Sequence, residues 1–373
     1  MGGVTTRDAM LAALGRQAGE QQRRSRRIGA SQIGEECARK VWFTWRWADS
    51  GEPPDGRLFR LFRRGDIEEE VIAKDLEAAG ITIMTVDPQT MKQWELSGID
   101  DHFVCKLDGI ARGVPEKPKV WHTVEMKTMN DKNFKALVKH GVRKTQPKHF
   151  AQMQAGMWLS GNSVDNRMAR SLYVVINKNT DDIYSEIVEF SKVYADQLMQ
   201  KAQNIVYAET PPDRIGTQSS MACKFCPVKG TCHANVVPPV NCRTCCHGTP
   251  EKDGTWSCAW YKKTLEFTDQ LAACGQHIYR PEFLENWALM SEMDSETGSI
   301  MYTLRDDASK TFWNGPEDPR KDVFSSKDIK ALGPMVKDEI IKVLRDVFDA
   351  KPVEKDWKLT DEFLAKGGDD IPF

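Results

Sequence analysis

The chain has 373 residues, 40% of them hydrophobic, a formal net charge of −2 and ten cysteines, which is enough apolar material for a full core and for more than one folding unit. No run of about 18 uncharged apolar residues exists and the start lacks an apolar leader, which excludes membrane-spanning and secreted classes; the expectation is a soluble cytoplasmic protein with no membrane partner. Ten cysteines over this length exclude a disulfide scaffold and suit metal ligands in a reducing compartment.

Residues 1–27, with the stretch "RQAGEQQRRSRR", read as a basic helical extension with a weak apolar stripe, loosely attached. The folded part starts near residue 28 at "IGASQIGEECARKVWFTWRW", where Ser31 can cap a helix that carries Cys37 and an aromatic face of Trp42, Phe43, Trp45 and Trp47. After the turn "SGEPPDG", the run "RLFRLFRRGDIEEEVIAKDLEAAG" has apolar residues at helical spacing and stops at Gly80. Strand-like runs follow at "ITIMTV", "FVCKLDGIARG" and "VWHTVEMK". A helix through "HFAQMQAGMWLSG", strands "SLYVVINK" and "IYSEIVEF", and a long helix through "SKVYADQLMQKAQNIVYAE" come next.

This order predicts an α/β fold with a mixed central sheet flanked by helices over residues 28–236. The prolines of "ETPPDR" end the last helix, and "NVVPPVN" separates two cysteine groups, so a small module is expected at 237–280. Residues 281–365 read as a cysteine-free mixed module and 366–373 as an acidic-hydrophobic tail.

The run "WHTVEMKTMNDKNF" puts Glu125 and Lys127 where a buried strand would carry apolar side chains. Residues two apart on a strand share a face, so the pair projects together. Asp108, in "CKLDGI" on the preceding strand, reaches the same point if "ARGVPEKPK" is a hairpin connection. Two carboxylates and a lysine can hold a hard divalent cation and orient a water or a phosphate; the bland reading is a surface ion pair on an edge strand.

Asp, a spacer and Glu-x-Lys resemble the PD-(D/E)XK nuclease superfamily, and the surroundings sharpen the likeness towards its RecB-like branch. "RRGDIEEEV" matches the G-x-x-x-E helix motif of that branch, and "HFAQMQAGM" its downstream glutamine helix. The resemblance implies a restriction-endonuclease-like sheet in which Asp108 and Glu125 bind Mg²⁺ or Mn²⁺, Glu69 adds a further acidic group, Lys127 positions the attacking water and Gln152 completes the shell. The chain departs from the pattern in lacking a histidine at "GDIEE" and in having Gly156 where an aromatic commonly follows the glutamine.

"CKFCPVKGTC" places Cys223, Cys226 and Cys232 in one cluster, with Cys37 far upstream. One distant and three close cysteines are similar to the arrangement of iron–sulfur RecB-like nucleases, including AddB-type and CRISPR-associated ones, which implies a [4Fe-4S] cluster; four thiolates also suit zinc. The second group, "NCRTCCHGTPEKDGTWSCAWYKK" and "AACGQHIYRP", is a zinc signal because each short spacing lets one turn present two ligands. Its expected ligands are Cys242, Cys245 and Cys258, with Cys274 or His277 as the fourth and Cys246 and His247 as bystanders. Cys105 reads as a small core residue.

The last residues, Asp369, Asp370, Ile371, Pro372 and Phe373, resemble the tip of bacterial single-stranded DNA-binding proteins, which implies partner proteins that recognise such tips. Lys132, Lys135, Lys139, Arg143 and Lys144 follow the Glu-x-Lys pair as phosphate guides or as a solvated helix face. The expected function is a DNA exonuclease acting on single-stranded or end-opened DNA in repair, recombination or genome processing, with a bacteriophage source consistent with the combination. The competing expectation is a non-catalytic DNA-binding and recruitment protein on the same scaffold.

Overall fold

A computed structural model of the chain describes residues 4–21, 23–163, 168–316 and 323–338. The fold is mixed α/β, with sheets flanked by helices. The chain divides into two compact units, Met1–Val228 with Pro250–Ser257, and Lys229–Thr249 with Cys258–Phe373. The tail Asp369 to Phe373 lies outside the described residues. No helix among the described residues is long and apolar enough to cross a membrane.

The first unit runs α1 (Thr6–Gln21), β1 (Ile28–Gly29), α2 (Ala30–Ile33), α3 (Ala38–Trp45), α4 (Gly56–Ala78), β2 (Thr82–Met84), β3 (Glu95–Gly98), β4 (Phe103–Lys106), β5 (Gly109–Arg112) and β6 (His122–Met129). It continues with α5 (Asp131–His140), α6 (Val142–Thr145), α7 (Pro147–Ser163), β7 (Arg170–Asn177), β8 (Ile183–Glu189) and α8 (Lys192–Tyr207). The main sheet has the order β2-β5-β6-β7-β8, with β6 and β7 parallel and the other neighbours antiparallel. A smaller sheet has the order β1-β4-β3.

The alternation of β6 and β7 sends their side chains to two separate cores. Val124, Met126, Leu172, Val174 and Ile176 pack with Ile72 and Ala73 of α4 on one face. Met129, Tyr173 and Val175 pack with Phe134, Leu137, Phe150, Met153 and Met157 of α5 and α7 on the other. Both faces of the sheet are therefore covered, so Glu125 on β6 is buried while Lys127 keeps partial exposure.

Three expectations are corrected. "FVCKLDGIARG" is two strands in two different sheets, and Asp108 sits at the bend between them rather than on a strand. The Asp108 carboxylate accepts a hydrogen bond from Met126 N at 2.8 Å and so takes a backbone donor beyond the Gly109–Val124 pairing, where the β5–β6 ladder stops. Ser31 does not cap the aromatic helix; Cys37 does, its Sγ accepting from Lys40 N at 3.3 Å. Finally, α1 is not loosely attached. It buries Leu14 and Ala18 and packs on α4.

The second unit contains α9 (Lys229–His233), β11 (Lys263–Thr264) and α10 (Phe267–Ala272), while β9 (Gly248–Pro250) and β10 (Trp256–Cys258) have residues in both units. These are followed by β12 (Ala288–Met293), β13 (Ile300–Leu304), β14 (Thr311–Asn314), β15 (Val323–Phe324) and α11 (Ser326–Leu332). Strands β12 to β15 form a sheet in chain order, over which Trp287, Tyr302 and Phe312 stack.

Candidate active site

The hairpin β5–β6 forms as expected, and its register brings Asp108 beside Glu125 and Lys127. Lys127 Nζ lies 2.8 Å from Glu125 Oε1, 3.1 Å from Asp108 Oδ2 and 3.8 Å from Glu69 Oε1. Gln152, one turn into α7, donates from Nε2 to Glu125 Oε2 at 2.9 Å. All five polar residues singled out in this region thus meet at one point, from α4, the β4–β5 bend, β6 and α7. The edge-strand reading fails, because β6 is the middle strand of five and Glu125 is only 3% exposed.

Burial pushes the Glu125 carboxyl up to about 8, against the pull of Lys127 and with Asp108 adding to the rise. Burial and then Asp108 push Glu69 up to about 7, again opposed by Lys127. Burial works against the charge on Lys127, yet Glu125 and Asp108 hold the ammonium above its ordinary range. An ammonium held this firmly donates hydrogen bonds and accepts no proton. Among the described residues no three His, Cys, Asp or Glu side chains converge into a ready-made ion cage; in the carboxylate cluster the lysine nitrogen stands between them.

Two neighbours escaped the sequence reading. Tyr173 on β7 is directly across from Glu125 in the parallel register and fully buried. Its hydroxyl pairs with His149 Nδ1 at 2.6 Å. Burial, and then the charge on Lys127, push His149 down to about 4. The only sequence signal was the i, i+3 spacing of His149 and Gln152, which puts both on one face of α7. At Gly156 an added Cβ would meet Leu107 Cδ2 at 3.0 Å and Cys105 Sγ at 3.2 Å. The helix is pressed onto the β4–β5 bend, which leaves no room for the aromatic that commonly follows the glutamine. Cys105 is a buried core residue, as expected.

The basic segment falls on α5 and α6. Phe134, Leu137 and Val142 turn inward while Lys132, Lys135, Lys139, Arg143 and Lys144 are exposed. Lys135 pairs with Asp131, and the Arg143 guanidinium sits over the Phe150 ring.

Of the first cysteine set, Cys37 caps α3, and Cys223 and Cys226 lie in and just after a short 3₁₀ turn of the first unit; Cys232 is on α9 of the second. In the second unit Cys242, Cys245, Cys258 and Cys274 line one cavity together with His247 and His277.

No protein-family model and no curated protein matches the chain. Among solved structures, an alkaline exonuclease (LHK-Exo) from Laribacter hongkongensis is 15% identical with a TM-score of 0.33, over 53% of this chain and 90% of that one. Its complex with dAMP is 14% identical with a TM-score of 0.34 over the same shares. SSO0001 is 13% identical with a TM-score of 0.37, over 62% of this chain and 97% of that one. The overlap is loose in each case.

Proposed function

We propose that the first unit is a metal-dependent deoxyribonuclease on a restriction-endonuclease-like sheet, an exonuclease for single-stranded or end-opened DNA. One observation carries this reading: Asp108, Glu125 and Glu69 converge around Lys127 beside the middle strand of a sheet covered on both faces. Burying carboxylates that repel one another costs stability, so a cluster of this kind points to use rather than to structural support.

The donor set suits Mg²⁺ or Mn²⁺. Asp108 and Glu125 offer hard oxygens, with Glu69 as a further acidic group, and the raised values at Glu69 and Glu125 mark a place short of positive charge. A divalent ion held there supplies charge against phosphoryl oxygens and makes water a stronger nucleophile. Lys127, fixed as an ammonium, orients the attacking water or a phosphate oxygen through its hydrogens. Gln152 holds the Glu125 carboxylate in one rotamer. The exposed cations of α5 and α6 offer a track for the phosphate backbone.

The iron–sulfur reading for Cys37, Cys223, Cys226 and Cys232 rests on the sequence resemblance, as does the tail Asp369 to Phe373 as a docking tip for repair and replication proteins. A brown sample purified without oxygen, bleached on reduction, checks the first; loss of such partners on removing Ile371 to Phe373 checks the second.

The central test is cleavage of end-labelled single-stranded and duplex DNA with Mn²⁺, comparing wild type with Lys127→Ala. Metal-dependent degradation that the variant lacks is expected. Tight binding without cleavage under any condition would leave the protein as a DNA-binding scaffold.

A further inference from the structure

The second cysteine set plays no part in the nuclease reading and has a geometry of its own. Two tight turns face a common cavity: Cys245 N donates to Cys242 O at 3.4 Å, and His277 N donates to Cys274 O at 3.1 Å. Asn241 fixes the first turn, its Oδ1 accepting from Arg243 N at 2.9 Å and Thr244 N at 3.2 Å. Gly248 closes it. A Cβ at that position would stand 2.1 Å from Cys242 O, so only glycine lets the chain double back over the two thiols. Cys258 arrives at the end of β10, and Cys242, Cys245 and Cys258 are all buried.

We infer that Cys242, Cys245, Cys258 and Cys274 form a structural Zn²⁺ site, in which four thiolates bind a single tetrahedral ion. The side chains stand around the cavity, and the ion closes them onto its centre as their protons leave to solvent. The cavity measures about 10 Å³. That is room for a body the size of one ion or water, which favours a single metal over an iron–sulfur cluster with its several irons and sulfides.

Cys274, the remaining thiol on the cavity, completes the set, and His277 is its rival for the fourth place. His277 is buried, and its Nε2, 3.0 Å from Asn241 O and 3.2 Å from Thr244 Oγ1, bolts the two turns together, while its Nδ1 has no hydrogen-bond partner. Cys246 is turned into its own contact with Cys245.

The test uses the full chain carrying Cys223→Ser and Cys226→Ser, so that only this set is read. After loading with zinc alone and removing loose metal with a chelator, one equivalent per chain is expected. That equivalent should be lost in Cys258→Ser and in Cys274→Ser and kept in Cys246→Ser. Because a cysteine variant can fail to fold, cobalt loading of the parent chain gives a second measurement. The expected spectrum is that of a tetrahedral ion with four sulfur ligands. Zinc retained in Cys274→Ser, a cobalt spectrum with three sulfurs and a nitrogen, or iron in place of zinc would each overturn the assignment.

Discussion

The carboxylate cluster of the first unit and the cysteine cluster of the second are built in opposite ways. The first draws on four elements that stretch from Glu69 to Gln152, and it exists only because β5 and β6 pair in one register and α7 packs on the bend before them. The second is made by two turns and a strand end, which bring its cysteines to one cavity. A site assembled by tertiary packing can hold charges in a strained, buried state that chemistry uses. A site assembled from turns can bind an ion and would thereby stabilise its own surroundings.

The contrast yields predictions of decreasing size. Replacing Asp108 with Asn keeps its shape and removes its charge, so metal-dependent cleavage should fall by on the order of 10²–10³-fold while DNA binding persists; unchanged cleavage would make the cluster structural. Gln152→Ala frees the Glu125 carboxylate and should weaken Mn²⁺ binding by about 10–100-fold, as loss of a group supporting a ligand does. Calorimetric metal titration reads this directly.

The pH dependence should have opposite signs for metal binding and for stability. Glu69 and Glu125, pushed up to about 7 and about 8, hold protons below those values, so Mn²⁺ affinity and cleavage should rise from pH 6 through 8 and then level. Without metal the folded chain keeps protons that the unfolded chain releases above 4.5, so these two groups make stability fall as pH rises from 4.5 to about 8. Thermal melts across that range, with and without Mn²⁺, separate the two effects. The smallest effect is expected for Gly156→Phe, which crowds Leu107 and Cys105 and should cost about 1–3 kcal/mol in a denaturant melt.

Much of the first unit was legible because its elements follow hydrophobic period closely: α4, α7, β7, β8 and α8 fall where the sequence places them. Two of the misses share a physical source, polar groups that replace backbone partners. Asp108 ends the β5–β6 ladder by accepting from Met126 N, and this splits a run that reads as one strand. Cys37 caps its helix with sulfur where Ser31 looked the better residue, because the short α2 already uses the residues before it. Tyr173 was invisible because a tyrosine in an apolar strand reads as core until its cross-strand partner is known to be Glu125.

The residue types at the carboxylate cluster, and their order along the chain, are properties of the sequence: a Glu-x-Lys pair on a strand must share a face whatever surrounds it. So are the cysteine spacings, since a turn of four residues sets the separation of its ends. Burial was decided only by tertiary structure. Placing β6 third among five strands, with α4 on one face and α7 on the other, removes Glu125 from water and raises its proton affinity. Packing likewise ties His277 Nε2 to Asn241 and Thr244, contacts that its spacing from Cys274 does not foretell.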